Sequence, residues 1–151
     1  MGTGTAANVM RFRIAGRAAD HSTVPDQLST MDDLAAAEAA HTGTFAFQNH
    51  DRHIWRINGQ VFDPTDPIAT PRLEATEIWR FTTDFHHSIH LHLVQFQVIS
   101  RNGKQPGAYD AGWKDTVDLK PAEEAAVIAR FTDYPGRYVL HCHSSNTKTW
   151  Q

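Results

Sequence analysis

The chain has 151 residues, 40% of them apolar and 21% charged, with a net charge of −3. That length suits a single domain of ordinary composition. There is no basic excess of the kind that meets nucleic acid or an anionic membrane, and no apolar run approaches the roughly 18 residues of a membrane span.

Residues 1–8 (MGTGTAAN) lack a charged n-region followed by an apolar h-region, so no signal peptide is read in this chain. Residues 9–14 alternate apolar and basic side chains, which predicts a half-buried strand. Residues 15–30 are polar and read as a loop. Ser29 or Thr30 is placed to cap a helix over 31–40, which is alanine-rich and acidic in its first turn. Further strands are predicted over 45–47, 54–57, 77–82, 90–100, 116–119, 125–131 and 137–142. Asn58-Gly59, Asp63-Pro64, Asn102-Gly103, Pro106-Gly107 and Pro135-Gly136 punctuate them. Many short strands with such turns predict an all-β sandwich or barrel. Trp55, Trp79, Phe81, Phe96, Trp113, Phe131 and Tyr138 fall in strand patterns and are expected in the core. Met10 and Met31 are expected to pack rather than to ligate.

Two short segments carry the chemistry. Residues 87–92 read His87-Ser88-Ile89-His90-Leu91-His92, and residues 136–143 end in His141-Cys142-His143. Cys142 is the single cysteine, so no disulfide can form within the chain, and ligation is its natural use. Imidazole and thiolate suit copper or zinc. In a strand, residues i and i+2 share a face, roughly 6.5–7 Å apart. His90 and His92 therefore share one face, as do His141 and His143, while Cys142 points the other way. His87 has the opposite parity to His90 and can join Cys142 at a separate centre. A buried structural thiol among structural histidines is the plain alternative, and two such clusters in one short chain disfavour it. His21, His41, His50, His53 and His86 form no further HxH pair and are expected to be solvated.

These motifs resemble the carboxy-terminal cupredoxin domain of the multicopper oxidases, within the bacterial group of spore-coat laccase, bilirubin oxidase and phenoxazinone synthase. The resemblance runs over about residues 44–143. Besides the two histidine clusters it includes Trp55-Arg56-Ile57-Asn58-Gly59-Gln60, Thr76-Glu77-Ile78-Trp79-Arg80-Phe81 and Asp110-Ala111-Gly112-Trp113-Lys114-Asp115-Thr116-Val117. It implies a Greek-key cupredoxin β-sandwich over residues 1–151, with an atypical tail at 144–151. It implies copper as the cofactor. His87 and Cys142 resemble type 1 ligands, His90 a type 2 ligand, and His92, His141 and His143 type 3 ligands. The activity implied for the intact protein is one-electron oxidation of a phenolic or similar aromatic donor, coupled to reduction of dioxygen to water.

The departures from the family pattern are specific. The family places a histidine five residues after the cysteine, an acidic residue just beyond it, and a methionine or other weak ligand five residues further on. Thr147 stands at the histidine position, and residues 144–151 contain no histidine, methionine or carboxylate. The family's trinuclear cluster takes eight histidines, four from each of two cupredoxin domains, and this chain supplies four. Its expected partners are therefore a missing amino-terminal cupredoxin domain or a second copy of itself. Alone it is expected to bind copper without oxidase turnover. A cupin-like mononuclear site also uses HxH, but no glutamate follows His92 within a few residues.

Overall fold

The computed structural model describes residues 10–49 and 54–143. The chain divides into two units, Met1–Thr30 and Met31–Gln151. In the first, residues 10–30 form no helix or strand and all are exposed. The strand expected over 9–14 is thus corrected, its first residue lying outside the described ones. Met10, Phe12 and Ile14 are exposed, so Met10 does not pack as expected either. Alternation suits a strand only where a ladder partner satisfies the backbone, and residues 10–14 have none among the described residues.

The second unit is almost wholly β. Its strands are β1 (His41–Gln48), β2 (Arg56–Ile57), β3 (Thr76–Thr83), β4 (His87–Leu91), β5 (Phe96–Arg101), β6 (Trp113–Lys114), β7 (Thr116–Leu119), β8 (Glu124–Arg130) and β9 (Leu140–Cys142). One sheet has the order β2-β1-β3-β8-β5-β6 and the other β7-β4-β9. Chain neighbours are mostly not sheet neighbours, and the path crosses repeatedly between sheets, as in a Greek-key sandwich. The inward faces of both sheets meet in one core that includes Phe45, Phe81, Ile89, Phe96, Val117 and Val127. Large side chains lie beside small ones there: Phe81 pairs in register with Ala125, and Phe96 with Ala129. Burying these aromatics is the main driving force available to the fold.

Turn chemistry follows the sequence closely. Asn58 and Gly59 both have positive φ, and Ile57 and Gln60 exchange backbone hydrogen bonds of 3.0 Å across them. Asn102 and Gly103 repeat this between Arg101 and Lys104. Two positive φ values in a two-residue hairpin loop select Asn-Gly.

Four other expectations are corrected. The strand predicted over 90–100 is two strands in different sheets. The chain turns at Leu93, whose φ is 74°, between β4 and β5. The helix predicted over 31–40 is only a 3-10 turn at Ala36–Glu38; a second such turn lies at Ala108–Asp110. Here Gln97 of β5 overrides alanine propensity: its Nε2 donates to the Asp32 carbonyl at 2.8 Å, and its Oε1 accepts the Leu34 N–H at 2.8 Å. That tertiary pairing draws residues 32–34 onto the sheet and takes the carbonyl a helix would need. The strand predicted over 137–142 begins only at Leu140, because Arg137 turns to the Pro64 carbonyl instead, at 2.7 Å. Trp113 and Tyr138 are partly exposed rather than in the core, Trp113 because it sits in the edge strand β6 and Tyr138 because it precedes β9.

Candidate metal centre

The three-stranded sheet has two chemically different faces. Along β4, His87, Ile89 and Leu91 are buried, whereas Ser88 and His90 are not. Ile89 pairs with Cys142, His90 with His141 and Leu91 with Leu140. Cys142 is buried. The parity expected from the sequence is the parity observed: His87 and Cys142 lie on the inward face, His90, His92, His141 and His143 on the outward one.

The outward face gathers four imidazoles. Ring centroids are 4.8 Å apart for His90–His92, 5.4 Å for His90–His141, 4.7 Å for His90–His143, 4.9 Å for His92–His141 and 4.8 Å for His141–His143. One ligating nitrogen from each of His90, His92 and His141 lies within 4.8 Å of the others. His92 Nε2 and His141 Nε2 are 2.8 Å apart. Two nitrogens bound to one cation at about 2.0–2.1 Å stand at a comparable separation.

Hydrogen bonds aim two of these rings. His90 Nδ1 donates to the Asp115 carbonyl at 2.9 Å. His141 Nδ1 donates to the Cys142 carbonyl at 3.1 Å. Each bond places the proton on Nδ1 and leaves Nε2 as the acceptor or ligand atom. Partial desolvation within the ring cluster, then the neighbouring imidazoles His90 and His143, holds the otherwise exposed His92 below the usual histidine range. Burial also lowers His141, opposed by its bond to the Cys142 carbonyl and reinforced by the other rings. Both stay neutral, and so competent to ligate, at lower pH than a free histidine.

The inward face differs. His87 is fully buried, and neither ring nitrogen has a hydrogen-bond partner among the described residues. Trp55 packs edge-on against it at 4.4 Å and Phe47 lies at 5.7 Å. Two unsatisfied imidazole nitrogens in an aromatic pocket are costly unless something binds them. His87 and Cys142 are same-face diagonal neighbours on paired strands. An imidazole and a thiol in that relation suit copper, so the donor set fits the metal the resemblance implies. Position 147, where a further histidine is missed, lies outside the described residues.

Burial lowers the His87 pKa to about 4, outweighing the opposing charge of Asp84 and reinforced by His86. A folded-state value below the unfolded 6.5 means that the unfolded chain binds the extra proton. The stabilisation is therefore complete above pH 6.5 and is lost as pH falls toward 4. The metal-free chain is expected to lose on the order of 3 kcal/mol over that interval. Urea midpoints at pH 7.5 and 4.5 measure it, and a His87→Gln chain should show a clearly flatter dependence. Equal slopes for the two chains would contradict the assignment.

The remaining histidines are peripheral. His21 and His41 are exposed, and His50 and His53 lie outside the described residues. His86 is exposed but not simply solvated, because its Nε2 lies 3.0 Å from Asp118 Oδ2. Three contributors were not identified from the sequence: the Asp115 carbonyl, the Thr116 hydroxyl and the Trp55 ring over His87. The run 110–117 was visible as a motif, but backbone carbonyls leave no compositional signal.

The multicopper oxidase family model matches residues 24–151. The laccase of Bacillus stratosphericus is 32% identical over 168 residues, covering 92% of this chain and 32% of that protein. The bilirubin oxidase of Albifimbria verrucaria is 36% identical over 152 residues, covering 90% of this chain and 25% of that protein. The crystal structure of a laccase from Pediococcus acidilactici superposes with a TM-score of 0.74 at 27% identity, over 82% of this chain and 28% of that one. The chain thus spans about a third or less of the length of these relatives.

Proposed function

The chain belongs to the multicopper oxidase family, and from that premise we propose how its residues divide the work of a copper-binding, laccase-like cupredoxin domain. The observation that carries the proposal is the convergence of His90, His92, His141 and His143 from two paired strands. His90 serves as a type 2 ligand, and His92, His141 and His143 as type 3 ligands. His87 and Cys142 serve on the other face as type 1 ligands. Copper, when bound, supplies one-electron redox chemistry. The chain's own part is to hold His90 and His141 with Nε2 presented, to keep His87 dry behind Trp55, and to link the two donor sets covalently. That link is the peptide backbone joining Cys142 to His141 and His143.

In the whole protein this domain would couple one-electron oxidation of a small aromatic donor, such as a phenol, to reduction of dioxygen to water. Four histidines are half of the family's cluster, so a second cupredoxin domain, or a second copy of this chain, completes it. Exposure of His92 and His143 supports such a partner. So does the apolar cleft that borders His92, where Phe62, Leu73 and Tyr138 are partly exposed.

Thr147 favours a second reading for the 151 residues by themselves, a copper-binding module without turnover. After copper loading, oxygen consumption with a phenolic donor is expected to stay well below the roughly 1–10³ per second of ordinary enzymes. The loaded protein is also expected to lack intense blue absorption. Turnover within that range, or a strong blue colour, would show that another group completes the type 1 site.

A further inference from the structure

The aim of His90 is set by groups outside the histidine cluster. The Asp115 carbonyl oxygen can only accept, so His90 Nδ1, 2.9 Å away, carries the ring proton and Nε2 carries the lone pair. The same carbonyl accepts the Leu91 N–H at 3.0 Å. Both of its lone pairs are then engaged, and it cannot swing away without breaking a backbone contact of β4. Thr116, the register partner of His90, adds its Oγ1 at 3.0 Å from Nδ1.

This platform is anchored from the opposite sheet. Arg101 of β5 donates through Nη1 to the Asp118 carbonyl of β7 at 2.9 Å. Its Nε and Nη2 hold the two Asp110 oxygens at 2.8 and 2.9 Å. Side-chain exposure is 18% for Arg101 and 4% for Asp110, so the pair is mostly shielded from solvent. The Asp118 carboxylate accepts the Ser88 hydroxyl of β4 at 2.8 Å. β7 is thereby tied to β4 by its ladder and to β5 by a guanidinium that joins the two sheets.

We infer that Thr116 and Arg101 are positioning residues for the copper site. Thr116 helps hold the His90 tautomer that leaves Nε2 unprotonated and able to ligate, and Arg101 holds β7 where Asp115 and Thr116 can reach the ring. This rests on the metal-site reading above. An isosteric Thr116→Val change removes one acceptor and leaves the ladder intact. An Arg101→Lys change keeps the charge and loses the planar fork that binds Asp110 and Asp118 together.

The test uses the full chain and Cu(II) alone. Nitrogen-15 spectra of the metal-free protein report which His90 nitrogen is protonated, and competition titration reports copper affinity. Wild type is expected to show the Nδ1–H tautomer. Thr116→Val, which keeps the Asp115 carbonyl, is expected to stay mainly Nδ1–H with a minor Nε2–H population that wild type lacks, and with copper affinity weaker by up to about tenfold, the loss typical of orienting partners. Its melting temperature should be nearly unchanged, which a merely structural role would not combine with a tautomer shift. Arg101→Lys is expected to do the same with some loss of stability; should it fail to fold, Thr116→Val carries the test. Unchanged tautomer and unchanged affinity in Thr116→Val would overturn the inference. Wild type that binds no copper through its histidines would end the metal-site reading, while the tautomer comparison would still decide whether Thr116 orients the ring.

Discussion

Replacing His90 and His141 together with alanine is expected to abolish copper binding on the outward face of the three-stranded sheet. The two residues are register partners at the centre of the ring cluster, and each has its Nδ1 engaged by a backbone carbonyl. Loss of a partner that only orients a ligand weakens metal affinity about 10–100-fold, so loss of two ligands should exceed about 100-fold. The fold should survive. Neither ring belongs to the hydrophobic core, and alanine leaves the β4–β9 ladder in place. Copper competition titration reads the affinity, and circular dichroism with thermal melting reads the fold. Wild-type copper affinity in a folded double variant would remove the outward face from consideration as a copper site.

Asp110→Ala is expected to cost about 3 kcal/mol of stability, at the lower end for breaking a buried ion pair. The change leaves the Arg101 guanidinium largely out of water without the carboxylate that binds it twice. The lower end applies because Glu123 Oε1, 3.3 Å from Arg101 Nη1, retains part of the compensation. Burial alone would lower the Arg101 pKa, but hydrogen bonding to Asp110, assisted by the charges of Asp110 and Glu123, holds it above its ordinary value. A melting temperature lower by on the order of 10 °C is the corresponding shift for a chain of this size. A drop of less than about 2 °C would mean that Glu123 replaces Asp110 fully.

Much of the site was legible because strand parity is a local property. Side chains alternate by residue, so the parity of His87 against His90 and His92, and of Cys142 against His141 and His143, follows from their numbering alone. The two Asn-Gly turns were legible for a similar reason, since positive φ at two successive positions is a demand on those residues themselves. The unit class, all β with many short strands, came from the same periodicity.

The errors share one physical cause, which is that a partner distant in sequence settled a local choice. Residues 31–40 have helical composition, yet Gln97 takes the Asp32 carbonyl and the Leu34 N–H and lays that segment on the sheet. Residues 10–14 alternate as a strand should, yet they form no strand among the described residues. A strand-like stretch over 90–100, without Gly or Pro to mark a break, concealed a turn at Leu93 that sends β4 and β5 to different sheets.

By itself the sequence determined which residues can ligate, which of them share a face, and how the tight turns close, because each depends on a residue and its immediate neighbours. Only the tertiary structure decided that β4 and β9 lie side by side, that His90 is aimed by a carbonyl 25 residues away, and that Arg101 binds one sheet to the other. Those arrangements depend on hydrogen-bond partners and core packing brought together by chain crossings, and no local pattern of side chains encodes them.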